Sequence, residues 1–294
     1  MTWTRALVTG ASGGIGLQFA RELARGGTNL VLVARSDDTL SNLARTLLAA
    51  HGVDVEVLPA DLTVTADLDV VAQRLRSGTE PIDLLVNNAG AGSVGPLARL
   101  PAVREFEIVQ LNTAAVLHLS RVAAEVMTER GAGAILNMAS LAGYAPIPYF
   151  AVYSASKAFV LNLTLALREE LRGSGVTVTA IAPGFVDTDF GDKAGVRNPP
   201  LRRLFASPER IARDGLAGVA RGQAVVLPGL AVRAASIVSQ LVPPAVLSRF
   251  SGIMARQFGS GFVSDAAVNA SAAPTGPPPE QTIVLDDSDR PVVG

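Results

Sequence analysis

The chain of 294 residues has no cysteine, which excludes a disulfide framework, a zinc ribbon and a thiol nucleophile. It has only two lysines, Lys157 and Lys193, and two histidines, His51 and His118. A cation or imidazole required for chemistry therefore has few places to be. Excess charge of either sign is also missing. The net charge is −1 and the isoelectric point about 6.2, which leaves no broad basic face for nucleic acid. No apolar run reaches the roughly 20 residues of a membrane span; the most apolar late stretch, 224–247, is broken by Pro228, Arg233, Gln240 and the Pro243–Pro244 pair. Met1 to Arg5 show no basic leader, apolar stretch or cleavage site of a secretory signal, so the expected location is cytoplasmic.

Hydrophobic residues make up 49% and charged residues 17%, enough to bury a full core in one large domain. The 28 glycines are placed rather than periodic, so the chain is not collagen-like. Short apolar runs predict strands over 6–9, 29–34, 54–58, 82–87, 134–139, 177–181 and 224–227. Most are continuous rather than alternating, as in strands covered on both faces. Amphipathic stretches between them predict helices over 15–25, 38–50, 66–76, 102–130, 152–172 and 208–221. This alternation gives right-handed crossovers and a doubly wound α/β fold of Rossmann type, with seven parallel strands and helices on both faces.

Two regions break the rhythm. Residues 184–206 form a long segment before the helix that Ser207 and Pro208 start, and a segment of that length reads as a functional lid. From Ser264 onward prolines and aspartates dominate, and 264–294 reads as a disordered acidic tail. Between them, 229–263 reads as a helical extension packed on the main domain or in a subunit interface, with a membrane surface as the alternative.

The first strand runs into Thr9-Gly10-Ala11-Ser12-Gly13-Gly14-Ile15-Gly16 and then a helix. Glycines let a backbone approach a phosphate closely, and a helix N-terminus adds free N–H groups and partial positive charge. An ordinary strand-to-helix turn is the plainer alternative, but position after the first strand favours a dinucleotide site over 1–228. Arg35 ends the second strand where an acidic residue would bind a ribose 2′-OH; arginine suits a 2′-phosphate, which favours NADP(H) while leaving NAD(H) possible. Asp61 follows the third strand, either as a ligand contact or as a helix N-cap. Asn87, Asn88, Ala89 and Gly90 end the fourth.

Ser140 ends the fifth strand, and Tyr153 and Lys157 share one helix face at i,i+4 spacing. A free tyrosine, with a pKa near 10, is a poor acid–base catalyst. An adjacent ammonium is expected to lower that value toward the useful range. Asn112 is a poor helix former in mid-helix, placed either to face solvent or to distort the helix and hold a water near Lys157.

Taken together, residues 4–227 resemble the short-chain dehydrogenase/reductases of standard short length. The matching features are Thr9 to Gly16, Asn87 to Gly90, Asn112, Ser140, Tyr153, Lys157, and Pro183-Gly184 with Thr188. The resemblance implies the strand order 3-2-1-4-5-6-7 and an Asn-Ser-Tyr-Lys tetrad. In ketone reduction Tyr153 would be the general acid, Ser140 would polarise the carbonyl, Lys157 would hold the ribose and tune Tyr153, and Asn112 would anchor a relay water. The cofactor contacts would include Thr9, Gly10, Ser12, Gly14, Ile15, Gly16, Arg35, Asp61, Leu62, Asn88, Ala89, Gly90, Pro183, Gly184, Val186 and Thr188. It also implies a homodimer or homotetramer.

The neighbouring segments are apolar: Val94, Leu141, Tyr144, Ile147, Tyr149 and Phe150 on one side, and Phe185, Phe190, Leu201, Leu204 and Phe205 in the lid. They suit a lipophilic carbonyl such as a 3-oxoacyl, steroid or aryl ketone, or else simply close the lid onto the core. Lys193, Arg197, Arg202 and Arg203 read as a solvated basic loop, with the phosphates of a coenzyme A or carrier arm as the alternative. Asp187 and Asp189 have no histidine or cysteine near them in sequence, so no metal site is expected. Other activities on such a fold are a bound-cofactor epimerase or dehydratase, and a non-catalytic redox sensor. The first needs a larger sugar-binding domain, and the second has no use for Tyr153 and Lys157 together.

Overall fold

The structure, a computed structural model, describes residues 3–195 and 206–257. The expected tail, the end of the extension, and Leu201, Leu204, Phe205, Arg197, Arg202 and Arg203 in the lid lie outside the described residues.

The elements alternate as β1 (Arg5–Thr9), α1 (Gly14–Arg25), β2 (Asn29–Ala34), α2 (Asp37–His51), β3 (Val55–Pro59), α3 (Thr65–Arg76) and β4 (Leu84–Asn87). They continue through α4 (Ala102–Val109), α5 (Ala115–Arg130), β5 (Gly133–Met138), α6 (Ala151–Glu170), β6 (Val176–Ile181), α7 (Phe190–Ala194), α8 (Pro208–Ala220) and β7 (Val225–Val226). Two helices follow, α9 (Leu230–Leu241) and α10 (Pro244–Gln257). All seven strands pair in parallel in the order β3-β2-β1-β4-β5-β6-β7. The order reverses between β1 and β4, so a crevice opens at their C-terminal ends, where doubly wound sheets bind ligands.

Every residue of β1 is buried. Ala6 and Val8 join Phe19 of α1, Leu40 of α2 and Ile211 of α8 in one layer. Leu7 points the other way, to Val71 and Leu75 of α3 and Leu119 of α5. Both faces need apolar side chains, so the strand reads as one continuous run.

The single helix expected over 102–130 is instead two, α4 and α5, joined by a π turn at Gln110–Ala114 that contains Asn112. Of the two readings of Asn112, the distorted helix is the one found: its side chain is completely buried. Single π turns inside helices gather at functional sites.

Candidate active site

The glycine turn is built by contact rather than by flexibility alone. A Cβ on Gly16 would lie 2.1 Å from the Gly10 carbonyl oxygen and 2.5 Å from Asn88 Nδ2, so only glycine lets α1 approach β1 this closely. Gly10 itself has φ +68°, a left-handed conformation that glycine adopts without strain. Thr9 Oγ1 accepts hydrogen bonds from the Asn88 and Ala89 N–H groups at 2.9 and 3.0 Å, and Asn88 Nδ2 donates to the Thr9 carbonyl at 2.9 Å. These bonds lock the end of β1 to the end of β4. Gly13, the N-cap of α1, offers no side-chain cap, and Ser12, Gly13 and Gly14 are exposed. The first-turn N–H groups thus remain open to an anion, the donor set that a dinucleotide pyrophosphate needs.

Arg35 follows β2 and is largely exposed, with Nη1 4.0 Å from Asp61 Oδ2. Asp61 is not an N-cap, because Val64 holds that position for α3. Its carboxylate instead accepts from the backbone N–H and hydroxyl of Thr63 at 3.0 and 2.7 Å. Burial alone would raise the Asp61 pKa, but the Thr63 bonds and the Arg35 charge outweigh it and hold the value below the usual carboxylate range. Leu62 beside it is buried.

Ser140, Tyr153 and Lys157 meet beyond the C-terminal end of β5. Lys157 Nζ donates to the Met138 carbonyl at 2.8 Å and lies 5.7 Å from the Tyr153 ring centre. Asn112 pins the loop opposite: Oδ1 accepts from Ala91 N–H at 3.0 Å, while Nδ2 donates to the Ala91 carbonyl and to Ser156 Oγ, both at 2.9 Å. Both amide hydrogens of Asn112 are thereby committed to protein partners. A Cβ on Gly90 would lie 3.3 Å from Asn112 Oδ1 and 3.4 Å from Lys157 Nζ, so the loop, the asparagine and the lysine share one small space.

The expected lowering of the phenol pKa is not found. Burial pushes Tyr153 up to about 12, a hydrogen bond with Ser140 opposing it, and burial pushes Lys157 down to about 8. Desolvation disfavours the charged form of each, and for Tyr153 it outweighs the Ser140 bond. At neutral pH the phenol is therefore protonated, and the lysine keeps most of its charge.

Thr188 and Gly184 come from the chain after β6. The Thr188 side chain stands 3.5 Å from the position of a Gly14 Cβ, directly over the glycine turn. Leu141 N–H donates to the Pro183 carbonyl at 2.9 Å, and Val186 bridges Ala206 to close the base of the expected lid. Phe185 is exposed. Phe190 stands beside Tyr153, with ring centres 5.4 Å apart, and Phe150 stacks on the same tyrosine at 4.3 Å. Val94 N–H donates to the Ala194 carbonyl at 2.9 Å, tying α7 to the loop after β4.

Several supporting contacts escaped sequence reasoning. Gly92 meets both rings, with a Cβ there 3.1 Å from each of Phe150 and Phe190. Asn87 Nδ2 donates to Ser120 Oγ and Asn137 Oδ1, and Asn137 Nδ2 donates to Thr164 Oγ1, a buried polar chain beneath the site. Asparagines inside the otherwise apolar strands β4 and β5 were the available signal. Among the described residues no three His, Cys, Asp or Glu side chains gather as metal ligands would.

This fold and site define a nicotinamide-type oxidoreductase architecture, and comparison with known proteins agrees. The short chain dehydrogenase family matches residues 4–197, and the chain belongs to it. It is 38% identical over 213 residues to the ketoacyl reductase HetN of Nostoc sp., covering 72% of this chain and 74% of that one. It is 41% identical over 215 residues to the very-long-chain 3-oxoacyl-CoA reductase of Pyricularia oryzae, covering 72% of this chain and 63% of that one. Among solved structures, a short-chain dehydrogenase from Sphingobium yanoikuyae in complex with NADPH superposes with a TM-score of 0.74 at 36% identity, covering 87% of this chain and 94% of that one.

Proposed function

We propose that the protein is an NADP(H)-dependent reductase of a lipophilic ketone, of the 3-oxoacyl, steroid or aryl type. The observation that carries this reading is the meeting of Ser140, Tyr153 and Lys157 beside the uncapped glycine turn, under an aromatic wall. When bound, the reduced nicotinamide would supply the hydride that the carbonyl carbon gains. Tyr153, protonated at neutral pH, gives its proton to the carbonyl oxygen as the bond order there falls. Ser140 donates a hydrogen bond to the same oxygen and orients it. Lys157 holds the ribose hydroxyls and offsets the negative charge that develops on the phenol. Asn112, with its amide committed to Ala91 and Ser156, acts as a positioning residue that fixes the loop facing Lys157. The N–H groups of the α1 first turn, with Ser12 and Thr188 nearby, would receive the pyrophosphate. Asp61 and Leu62 would hold the adenine. The names of the relatives, a ketoacyl reductase and a 3-oxoacyl-CoA reductase, support the ketone class, and the NADPH complex supports the cofactor.

Arg35 carries the cofactor preference. With its side chain 79% exposed, the contact to a 2′-phosphate is screened, so Arg35→Ala is expected to raise KM for NADPH about tenfold. KM for NADH should stay within about twofold. Equal losses with both cofactors would contradict this assignment.

The substrate class is tested with methyl ketones of increasing chain length. Phe150 and Phe190 present apolar surface beside Tyr153, so kcat/KM should rise by about threefold to fourfold per added methylene, following about 0.8 kcal/mol of transfer free energy each, until the pocket is full. A rate indifferent to chain length would overturn the lipophilic reading.

Exposed apolar side chains on α4, α5 and α6, among them Val103, Phe106, Leu117 and Phe159, support self-association into a homodimer or homotetramer. The expected result for Phe106→Glu is a smaller particle in sedimentation velocity.

A further inference from the structure

The two helices that follow β7 turn their apolar sides outward. On α9 the exposed side chains include Leu230, Ile237, Val238 and Leu241, with Leu230 82% and Leu241 78% exposed, whereas Ser236 is the residue of that helix buried against the domain. On α10, Val246, Phe250 and Ile253 repeat the pattern at i, i+4 and i+7. A helix packed on a soluble core has the opposite arrangement. Charge is equally one-sided: residues 215–264 contain no aspartate or glutamate and four arginines, in a chain that otherwise carries slightly more acid than base. Arg233 and Arg249 are exposed among these apolar side chains.

From this we infer that the consecutive helices α9 and α10 dock along an anionic lipid surface, with Phe250, Ile237 and Leu241 entering the acyl boundary and Arg233 and Arg249 meeting the headgroups. Apolar residues interleaved with arginine on the exposed side of each helix are what an interfacial helix requires. Among the described residues no helix is long and apolar enough to cross a membrane, so this is attachment along the surface. A second copy of the chain is a poorer occupant. A two-fold interface sets the same patch against itself, which would bring Arg233 and Arg249 of both copies together without a carboxylate from this stretch to pair with them.

The two helices are also anchored beside the site. Ser251 Oγ donates to the Pro146 carbonyl at 3.4 Å, a Cβ on Gly252 would sit 3.4 Å from Pro148, and Val232 lies 3.1 Å from the position of a Gly184 Cβ. They therefore cover the segment that runs from Ser140 toward α6, and a lipid surface would lie on that side of the molecule.

The test is flotation of the full chain with vesicles of phosphatidylcholine alone and of phosphatidylcholine with an equal amount of phosphatidylglycerol. The chain should float with the anionic vesicles, and raising the salt to 0.5 M should weaken the binding. Removing both arginines (Arg233→Gln with Arg249→Gln) should reduce partition by about twentyfold to thirtyfold, at about fivefold for each charge. Ile237→Glu with Phe250→Glu should abolish flotation, while reduction of a short water-soluble ketone continues at the parent rate. Failure of the parent chain to float would overturn the proposal. So would flotation undiminished in the Ile237→Glu, Phe250→Glu variant, or a halved particle mass in that variant without any loss of flotation.

Discussion

Tyr153→Phe is expected to lower kcat for ketone reduction by about 10²–10⁴-fold, the range that a positioned general acid contributes. Dinucleotide affinity, measured by quenching of the single tryptophan or by calorimetry, should change by less than about twofold. The separation follows from geometry. The phenol hydroxyl reaches toward Ser140, whereas the ring is held by Phe150 and Phe190 and stays in place when the oxygen is lost. The direction of the Tyr153 shift makes the prediction sharper. A phenol pushed up to about 12 by burial keeps its proton at pH 7 and has it available to donate. Reduction should therefore be flat from pH 6 to about 7.5. A rate that rises steadily with pH over that interval would indicate a phenolate requirement and contradict the assigned role.

Lys157→Met is expected to lower kcat/KM by about a hundredfold, the loss of one charge-assisted contact, and at the same time to raise stability. Burial holds the ammonium down at about 8 against the usual 10.5. At 1.36 kcal/mol per unit, charging it inside the fold costs about 3 kcal/mol. Methionine removes that cost but leaves the Met138 carbonyl without its donor, which costs about 1–3 kcal/mol. The expected net gain is about 1 kcal/mol, or about 2–4 °C in Tm for a domain of this size. The pH dependence has a definite sign. Because the folded-state value is lowered, the unfolded chain binds more protons between about 8 and 10.5. The penalty on the parent is full below pH 8 and fades across that window, so the advantage of the variant should vanish within it and reverse by about pH 10.5, where only the cost of the unpaired Met138 carbonyl is left. Thermal unfolding of both proteins at pH 7 and pH 10 checks this. The kcat/KM for NADPH should likewise decline above about pH 8 as Lys157 loses its charge.

Much of the fold was legible because the centres of β1, β2 and β4 are buried on both faces and read as continuous apolar runs. Residues 29–34 and the glycine-to-helix turn at 10–16 were read where the structure has them, since each obeys a local rule. The division of 102–130 was only half legible. Asn112 marked the place, but the π turn depends on the bonds from its amide to Ala91 and Ser156, which lie 21 and 44 residues away. The acidity of Tyr153 was misread for a related reason. Spacing on a helix shows that Lys157 is near, but it does not reveal that both groups are buried, and burial decides the outcome. The contacts of Gly92 with Phe150 and Phe190, and the Asn87–Ser120–Asn137 chain, join residues distant in sequence, so local pattern carried little of them. The outward-facing apolar stripes of α9 and α10 show the same limit: periodicity fixes a face but not which way it turns.

The most direct measurement is a progress curve at 340 nm for the full chain with NADPH and a long-chain ketone, with the alcohol product quantified at the end. One alcohol should form per NADPH consumed, with a rate that disappears in Tyr153→Phe. NADPH bound tightly but left unoxidised across a broad panel of carbonyl compounds would contradict it.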